Sequence, residues 1–241
     1  CRIIRASETG SATEPCGKIF STALWEVLGG QKRRLGRFLF ANNADKFNGQ
    51  IQELVRQIQK GANIADVTFH ICCGLAGGTG SGSLIDIISQ TRSLYTDPQK
   101  YRILVYALLP DTHPPQGWDT GNYHANGYAA LGELNAMSVG RYAPYDVTGI
   151  KERHQIQDPF NGCYVFTNEN ENGMIVDVNK DLPNVVADFL YQKVVAIKDI
   201  SDWTSLKRME NAENGDGTPE TAPGTNLPER SKRFLTFGIK R

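Results

Sequence analysis

The stretch Ala76-Gly77-Gly78-Thr79-Gly80-Ser81-Gly82 decides how this chain of 241 residues is read. It follows Val67-Thr68-Phe69-His70-Ile71-Cys72-Cys73, a short apolar and β-branched run that suits a buried strand of a parallel sheet. Beyond it, Leu84, Ile87, Ile88 and Tyr95 recur at helical spacing, so the glycines lie between the carboxyl end of a strand and the first turn of a helix. Glycine lets the backbone come close to a ligand, and the unpaired N–H groups and dipole of a helix N-terminus favour negative charge. Thr79 and Ser81 add hydroxyl donors. The stretch therefore reads as a phosphate cradle. A Walker A loop is excluded because no lysine follows the glycines before Lys100, and a Rossmann fingerprint fails because Ser83 stands three residues beyond Gly80.

The same seven residues match, position by position, the nucleotide-binding signature of the tubulin superfamily: Ser, Ala or Gly, then Gly-Gly-Thr-Gly, then Ser or Ala, then Gly. The chain resembles that superfamily over most of residues 29 to 200. It is most similar to the prokaryotic tubulin-like proteins, because Gly30-Gln31-Lys32-Arg33-Arg34-Leu35-Gly36-Arg37 has no good eukaryotic counterpart. The resemblance implies an α/β fold, the three-layer parallel sheet of a tubulin-type nucleotide-binding domain, with the N-terminal strand-loop-helix unit missing. It also implies GTP or GDP as ligand, Mg²⁺ beside the phosphates, and self-association into filaments in which hydrolysis is completed between subunits.

Composition is compatible with this. Lys plus Arg and Asp plus Glu are balanced at 26 each, so no charge excess points to nucleic acid or to an acidic membrane surface. No apolar run approaches the roughly 18 to 20 residues that span a bilayer. Cys1, Cys16, Cys72, Cys73 and Cys163 lack C-x-x-C spacing, and the four histidines are scattered, so reduced structural thiols in a cytoplasmic protein are expected and a zinc site is not. His70 is expected in the core of its strand.

Along the chain, Thr22 to Leu28 is an apolar element that stops at Gly29-Gly30. The basic segment from Gly30 to Arg37 reads either as a solvated helix face or as a phosphate-sensing loop. In the resemblance, Gly30 and Gln31 sense the γ-phosphate, and Ala41-Asn42-Asn43-Ala44 is a second candidate for that loop. Phe47, Ile51, Leu54, Val55 and Ile58 form the stripe of a core helix closed by Gly61. Tyr101 to Leu109 reads as the next parallel strand, ended by Pro110, and the loop Asp111 to Asp119 then shares a sheet edge with the signature. A helix follows from Gly121 with Asn126, Ala130, Leu131, Leu134 and Met137 in its stripe. Asn126 is either a polar contact at the site or a surface asparagine.

Asn161 to Thr167 is strand-like and runs into Asn168. The resemblance makes Asn168 the amide that meets the guanine edge, a task suited to a side chain with both donor and acceptor. Leu182-Pro183-Asn184 opens a helix with Val186, Phe189, Leu190, Val194 and Ile197, and Asn184, or Asp188 one turn on, is the second base contact that the family implies. The backbone of Gly77 to Gly82 would hold the α- and β-phosphates.

Residues 1–207 are expected to form the partial nucleotide-binding domain, 208–230 a polar linker or surface loop, and 231–241 the start of a truncated C-terminal domain. Glu210, Glu213 and Asp216 stand where filament-forming relatives carry catalytic acids, but the family's spaced N-x-D-x-x-D/E pattern is not cleanly present. Two other classes stay open. One is a scaffold that binds GTP without hydrolysing it; the other is an α/β enzyme whose glycine loop holds a flavin or another phosphorylated cofactor.

Overall fold

The computed structural model describes residues 2–3, 30–62, 66–149, 151–170, 172–194 and 234–235. Its elements in chain order are β1 (Arg2–Ile3), α1 (Arg33–Ala41), α2 (Ala44–Ala62), β2 (Val67–Gly74), α3 (Gly78–Leu94), β3 (Tyr101–Leu108), α4 (Tyr123–Ser138), β4 (Gly162–Phe166), α5 (Leu182–Val194) and β5 (Phe234–Leu235). The strands form one sheet in the order β1-β2-β3-β4-β5, with β1 antiparallel to β2 and the other pairings parallel.

β2 and β3 run in step for eight residues, from Val67 opposite Tyr101 to Gly74 opposite Leu108, and β4 joins from Gly162 opposite Leu104 to Phe166 opposite Leu108. All three strands therefore end at one level. Two further bonds carry the ladder past the ends: Leu75 N–H donates to the Leu108 carbonyl and Leu109 N–H to that of Phe166, each at 2.9 Å. The loops after β2, β3 and β4 share an edge for this reason.

Side chains alternate between the two faces of the sheet. Phe69, Ile71, Cys73, Ile103, Val105, Ala107 and Cys163 pack beneath α2, α3 and α4, where Ile51, Val55, Leu84, Ile88, Ala130 and Leu134 meet them. Leu104, Tyr106, Tyr164 and Phe166 face the other way and are covered by Leu182 and Leu190 of α5. The result is the three-layer α/β arrangement. Burying each such aliphatic or aromatic side chain contributes about 1.5–3 kcal/mol, which is why the apolar periodicity of the sequence translates so directly into layers.

His70 lies in this core with Nδ1 2.9 Å from the Tyr106 hydroxyl. Cys72, Cys73 and Cys163 are free thiols; burial pushes Cys72 up to about 11 and Cys163 to about 12, and raises Cys73 as well. Helix α2 begins at Ala44 and runs past Gly61 to Ala62, slightly longer than its apolar stripe. The apolar element at 22–28, the polar region 208–230 and the acids Glu210, Glu213 and Asp216 lie outside the described residues. Among the described residues, no helix is long and apolar enough to cross a membrane.

Candidate functional site

At the end of β2 the chain turns through Leu75 and Ala76, and Gly77, with φ −78° and ψ 160°, precedes the first residue of α3. No side chain caps that helix, and its first turn carries no carboxylate. Helix α1 starts in the same manner: Lys32 is its extended N-cap residue, without a side-chain cap, and no acidic residue follows in the first turn. Each N-terminus carries roughly half a positive charge and unpaired N–H groups.

These two helix starts touch through their backbones. A Cβ on Gly78 would stand 2.6 Å from Lys32 N and 2.9 Å from the Lys32 carbonyl carbon and oxygen. The contact continues along the helices. A Cβ on Gly82 would lie 2.2 Å from Arg33 O, and one on Gly36 would lie 2.3 Å from Gly78 O and 2.7 Å from Thr79 Cα. Gly80 packs on its own strand end, where a Cβ would meet Gly74 O at 2.5 Å. Within the signature only Gly77 faces open space, with nothing inside 4 Å. Sequence reading assigned the glycines to ligand approach; the structure adds that Gly78, Gly80 and Gly82 are needed for packing.

The basic segment divides by direction. Arg33 turns inward, with its guanidinium paired to both carboxylate oxygens of Glu133 and Nη2 donating to Ser81 O at 2.9 Å. Arg37 forks onto Asp86, Nε to Oδ2 at 2.9 Å and Nη2 to Oδ1 at 3.1 Å. Asp86 is only 2% exposed. Burial raises its carboxyl pKa, with Arg37 opposing the rise. Lys32 and Arg34 remain exposed, and neither has a carboxylate partner among the described residues.

Gly30 has φ +110°, a left-handed conformation that favours glycine, and delivers Gln31 to the loop after β3. Gln31 Nε2 donates to Trp118 O at 2.6 Å, while its Oε1 accepts from Thr120 Oγ1 at 3.1 Å and Thr120 N at 3.3 Å. Asn126, in the first turns of α4, ties this loop to the cradle: Nδ2 donates to Gln31 O and to Ala76 O, both at 2.9 Å. It is 6% exposed and thus no surface asparagine. Its place in the stripe with Ala130, Leu134 and Met137 was the sequence signal for burial.

Thr79 and Ser81 differ. The Ser81 hydroxyl donates to Gly77 O within the helix, whereas the Thr79 hydroxyl makes no hydrogen bond among the described residues. Sequence reasoning did not single out Asp111, the first loop residue beyond Pro110. It is buried, its Oδ1 has no partner, Tyr123 Oη lies 3.4 Å from Oδ2, and burial raises its carboxyl pKa.

Asn168 follows β4 on the same sheet edge, where Nδ2 donates to Val176 O at 3.3 Å and the main chain closes a 168–176 hairpin. Asn184 is exposed on the first turn of α5, with Nδ2 donating to Lys180 O at 3.0 Å. No hydrogen bond among the described residues joins either amide to the cradle. Asn42 and Asn43 form the joint between α1 and α2, Asn43 Nδ2 donating to Leu39 O at 2.8 Å.

The fold and this edge define a class, an α/β domain with a glycine-rich helix N-terminus at the carboxyl end of a parallel strand, where anions bind in such folds. The family described as "Tubulin like" matches residues 21–241, and the chain belongs to that family, whose members are GTP-binding, filament-forming proteins. Among solved structures the chain is similar to CetZ from Methanosaeta thermophila strain DSM 6194, with 19% identity over 76% of this chain and 42% of that one, at a TM-score of 0.45. It is also similar to TubZ of Clostridium botulinum phage c-st, with 17% identity over 73% of this chain and 48% of that one, at a TM-score of 0.43. The chain thus spans less than half the length of either structure. No curated protein matches the sequence.

Proposed function

We propose that this chain binds GTP and GDP at the α1–α3 junction and works as part of a filament-forming GTPase. One observation carries the reading: two uncapped helix N-termini, neither with an acid in its first turn, are held in backbone contact. Like-signed helix ends repel, and a bound polyphosphate converts that repulsion into attraction. The residues present fit such a group. Gly77 leaves room for a phosphate oxygen, and the Thr79 hydroxyl has no hydrogen-bond partner among the described residues.

Gly77 to Gly82 would hold the α- and β-phosphates, Gly30 and Gln31 would face the γ-phosphate, and Asn168 with Asn184 would meet the base. Among the described residues no cluster of three His, Cys, Asp or Glu forms a metal cage. Mg²⁺ would be held mainly by phosphates and water, as that ion prefers. Glu210, Glu213 and Asp216 of a neighbouring subunit would orient the attacking water.

Their irregular spacing supports a second reading, a scaffold that binds GTP without cleaving it. Phosphate release measured against protein concentration separates the two, since a shared active site makes specific activity rise steeply with concentration. Nucleotide binding itself is tested by Gly77→Val. The open space and extended backbone tolerate the side chain, so the melting temperature should hold while GTP affinity falls about tenfold or more, the loss of a charge-assisted hydrogen bond or two. Unchanged affinity would remove the cradle reading. Gly80→Val is a poorer probe, because its side chain strikes Gly74 O.

A further inference from the structure

We propose that the outer flank of α1, together with the chain around Tyr145 and Arg153, is a docking surface for an acidic peptide of a partner protein, one that carries an apolar residue among its acids. Arg34, Arg37, Phe38 and Ala41 are spaced i, i+3, i+4 and i+7, so they form one continuous stripe of α1. Gly36 and Phe40 occupy the buried side of the helix, whereas Phe38 is 59% exposed and Arg34 beside it is exposed as well.

Arg37 joins this stripe to a second element. Besides its fork onto Asp86, its Nη2 donates to Tyr145 O at 3.4 Å, and the side chain stays 41% exposed. Tyr145 is 53% exposed and pairs antiparallel with Arg153, whose guanidinium lies 4.3 Å from the tyrosine ring centroid. Arg153 Nη1 also donates to Ala143 O at 2.9 Å, so this cation is held in place. The neighbouring Asp146 and His154 brace the pair on α3: Gln90 Nε2 donates to Asp146 Oδ1 at 3.2 Å, and Ser93 Oγ lies 2.9 Å from His154 Nδ1. Two aromatic rings and three guanidinium groups therefore share one supported face.

Charge selects the occupant. Basic and acidic residues balance at 26 each, so this is a local excess and not the surplus of a basic protein. The acids around it are engaged, Asp86 by Arg37, Glu133 by Arg33 and Asp146 by Thr148 and Gln90, with Glu152 the exposed exception. Arg34 and Arg153 have no carboxylate partner among the described residues. A guanidinium fork matches a carboxylate with two parallel hydrogen bonds, and the exposed rings offer contact to an apolar side chain between the acids. Arg153, already fixed on Tyr145, loses little freedom on binding. Nucleic acid fits less well, since it calls for a longer row of phosphate contacts and a neutral chain supplies no steering field.

The test pans a random peptide display library on the full chain, with the double variant Arg34→Gln and Phe38→Ser as counter-target, and measures the enriched peptides by fluorescence anisotropy. Both side chains are exposed, so the double variant should melt as wild type does. The enriched peptides should carry several Asp or Glu around an apolar residue and bind the double variant about tenfold or more weakly. Arg153→Gln, on the other element, should weaken them about three- to tenfold. Arg56→Gln, about 18 Å along α2 from its start, should bind them as wild type does. No enrichment, enrichment of neutral or basic peptides, equal binding by the double variant or by Arg153→Gln, or a loss copied by Arg56→Gln would overturn the proposal. Labelled oligothymidylate that bound more tightly than the peptides and lost affinity in the same variants would overturn it in favour of a nucleic-acid site.

Discussion

Replacing Gly36 by alanine sets helix propensity against packing, and the structure says which wins. In an exposed helix interior, Gly→Ala stabilises by about 1 kcal/mol. At Gly36 the new Cβ would stand 2.3 Å from Gly78 O and 2.7 Å from Thr79 Cα. Both are backbone atoms that cannot rotate away, so α1 must retreat by about 1 Å to reach ordinary contact distance. Overpacking of this kind costs about 1–3 kcal/mol. The retreat also lengthens the Arg37–Asp86 fork, and separating a buried carboxylate from its partner costs up to about 3–5 kcal/mol if complete. Allowing for partial loss and for the propensity gain, Gly36→Ala should destabilise by about 2–4 kcal/mol.

Gly132 in α4 is the control. It is exposed, and a Cβ there meets nothing within 4 Å, so Gly132→Ala should stabilise by about 0.5–1 kcal/mol. Urea unfolding reads both. With an m-value of about 1–3 kcal/mol per molar, the midpoints should move in opposite directions, that of Gly36→Ala down by about 0.7 M or more. Equal shifts, or a stabilised Gly36→Ala, would refute the claim that α1 and α3 are in backbone contact.

Asn126→Ala removes the amide that joins Gln31 O to Ala76 O and should cost about 1–3 kcal/mol of stability while weakening nucleotide binding; unfolding and titration of one preparation check both. Asp97 Oδ1 accepts from the backbone N–H of Gln99 at 2.8 Å and Lys100 at 3.2 Å, which holds its carboxyl below the usual aspartate range. A depressed folded pKa stabilises above the unfolded value of about 3.9 and loses that effect as pH falls through the folded value. Asp97→Ala should accordingly lower stability at pH 7 and have little effect near pH ~2, as measured by melting across that range. The buried thiols of Cys73 and Cys163 should resist alkylation at pH ~8 until the chain unfolds; peptide mass mapping with and without urea would expose any error here.

The strands and helices were legible in sequence because burial has a period. Val67 to Cys73 and Tyr101 to Leu109 are largely apolar runs, and Phe47, Ile51 and Val55 mark one face of a helix. The glycine-rich turn itself was legible because it stands between an apolar run and a helical stripe. What the glycines pack against was not, since Gly78 and Gly82 meet Lys32 and Arg33, some 46 to 49 residues away in the chain. Asp111 escaped notice because nothing local distinguishes a buried loop carboxylate from a solvated one.

By itself, then, the sequence determined the order of elements, the parallel sheet and the strand-to-helix turn that bears the tubulin signature, all consequences of local periodicity and backbone chemistry. Only the tertiary structure decided that Arg33 and Arg37 turn inward while Lys32 stays out, that Asn126 is an internal staple, and that two helix N-termini share one place. Those outcomes depend on which distant backbone lies alongside α1, and a contact between segments far apart in the chain leaves no trace in the spacing of either.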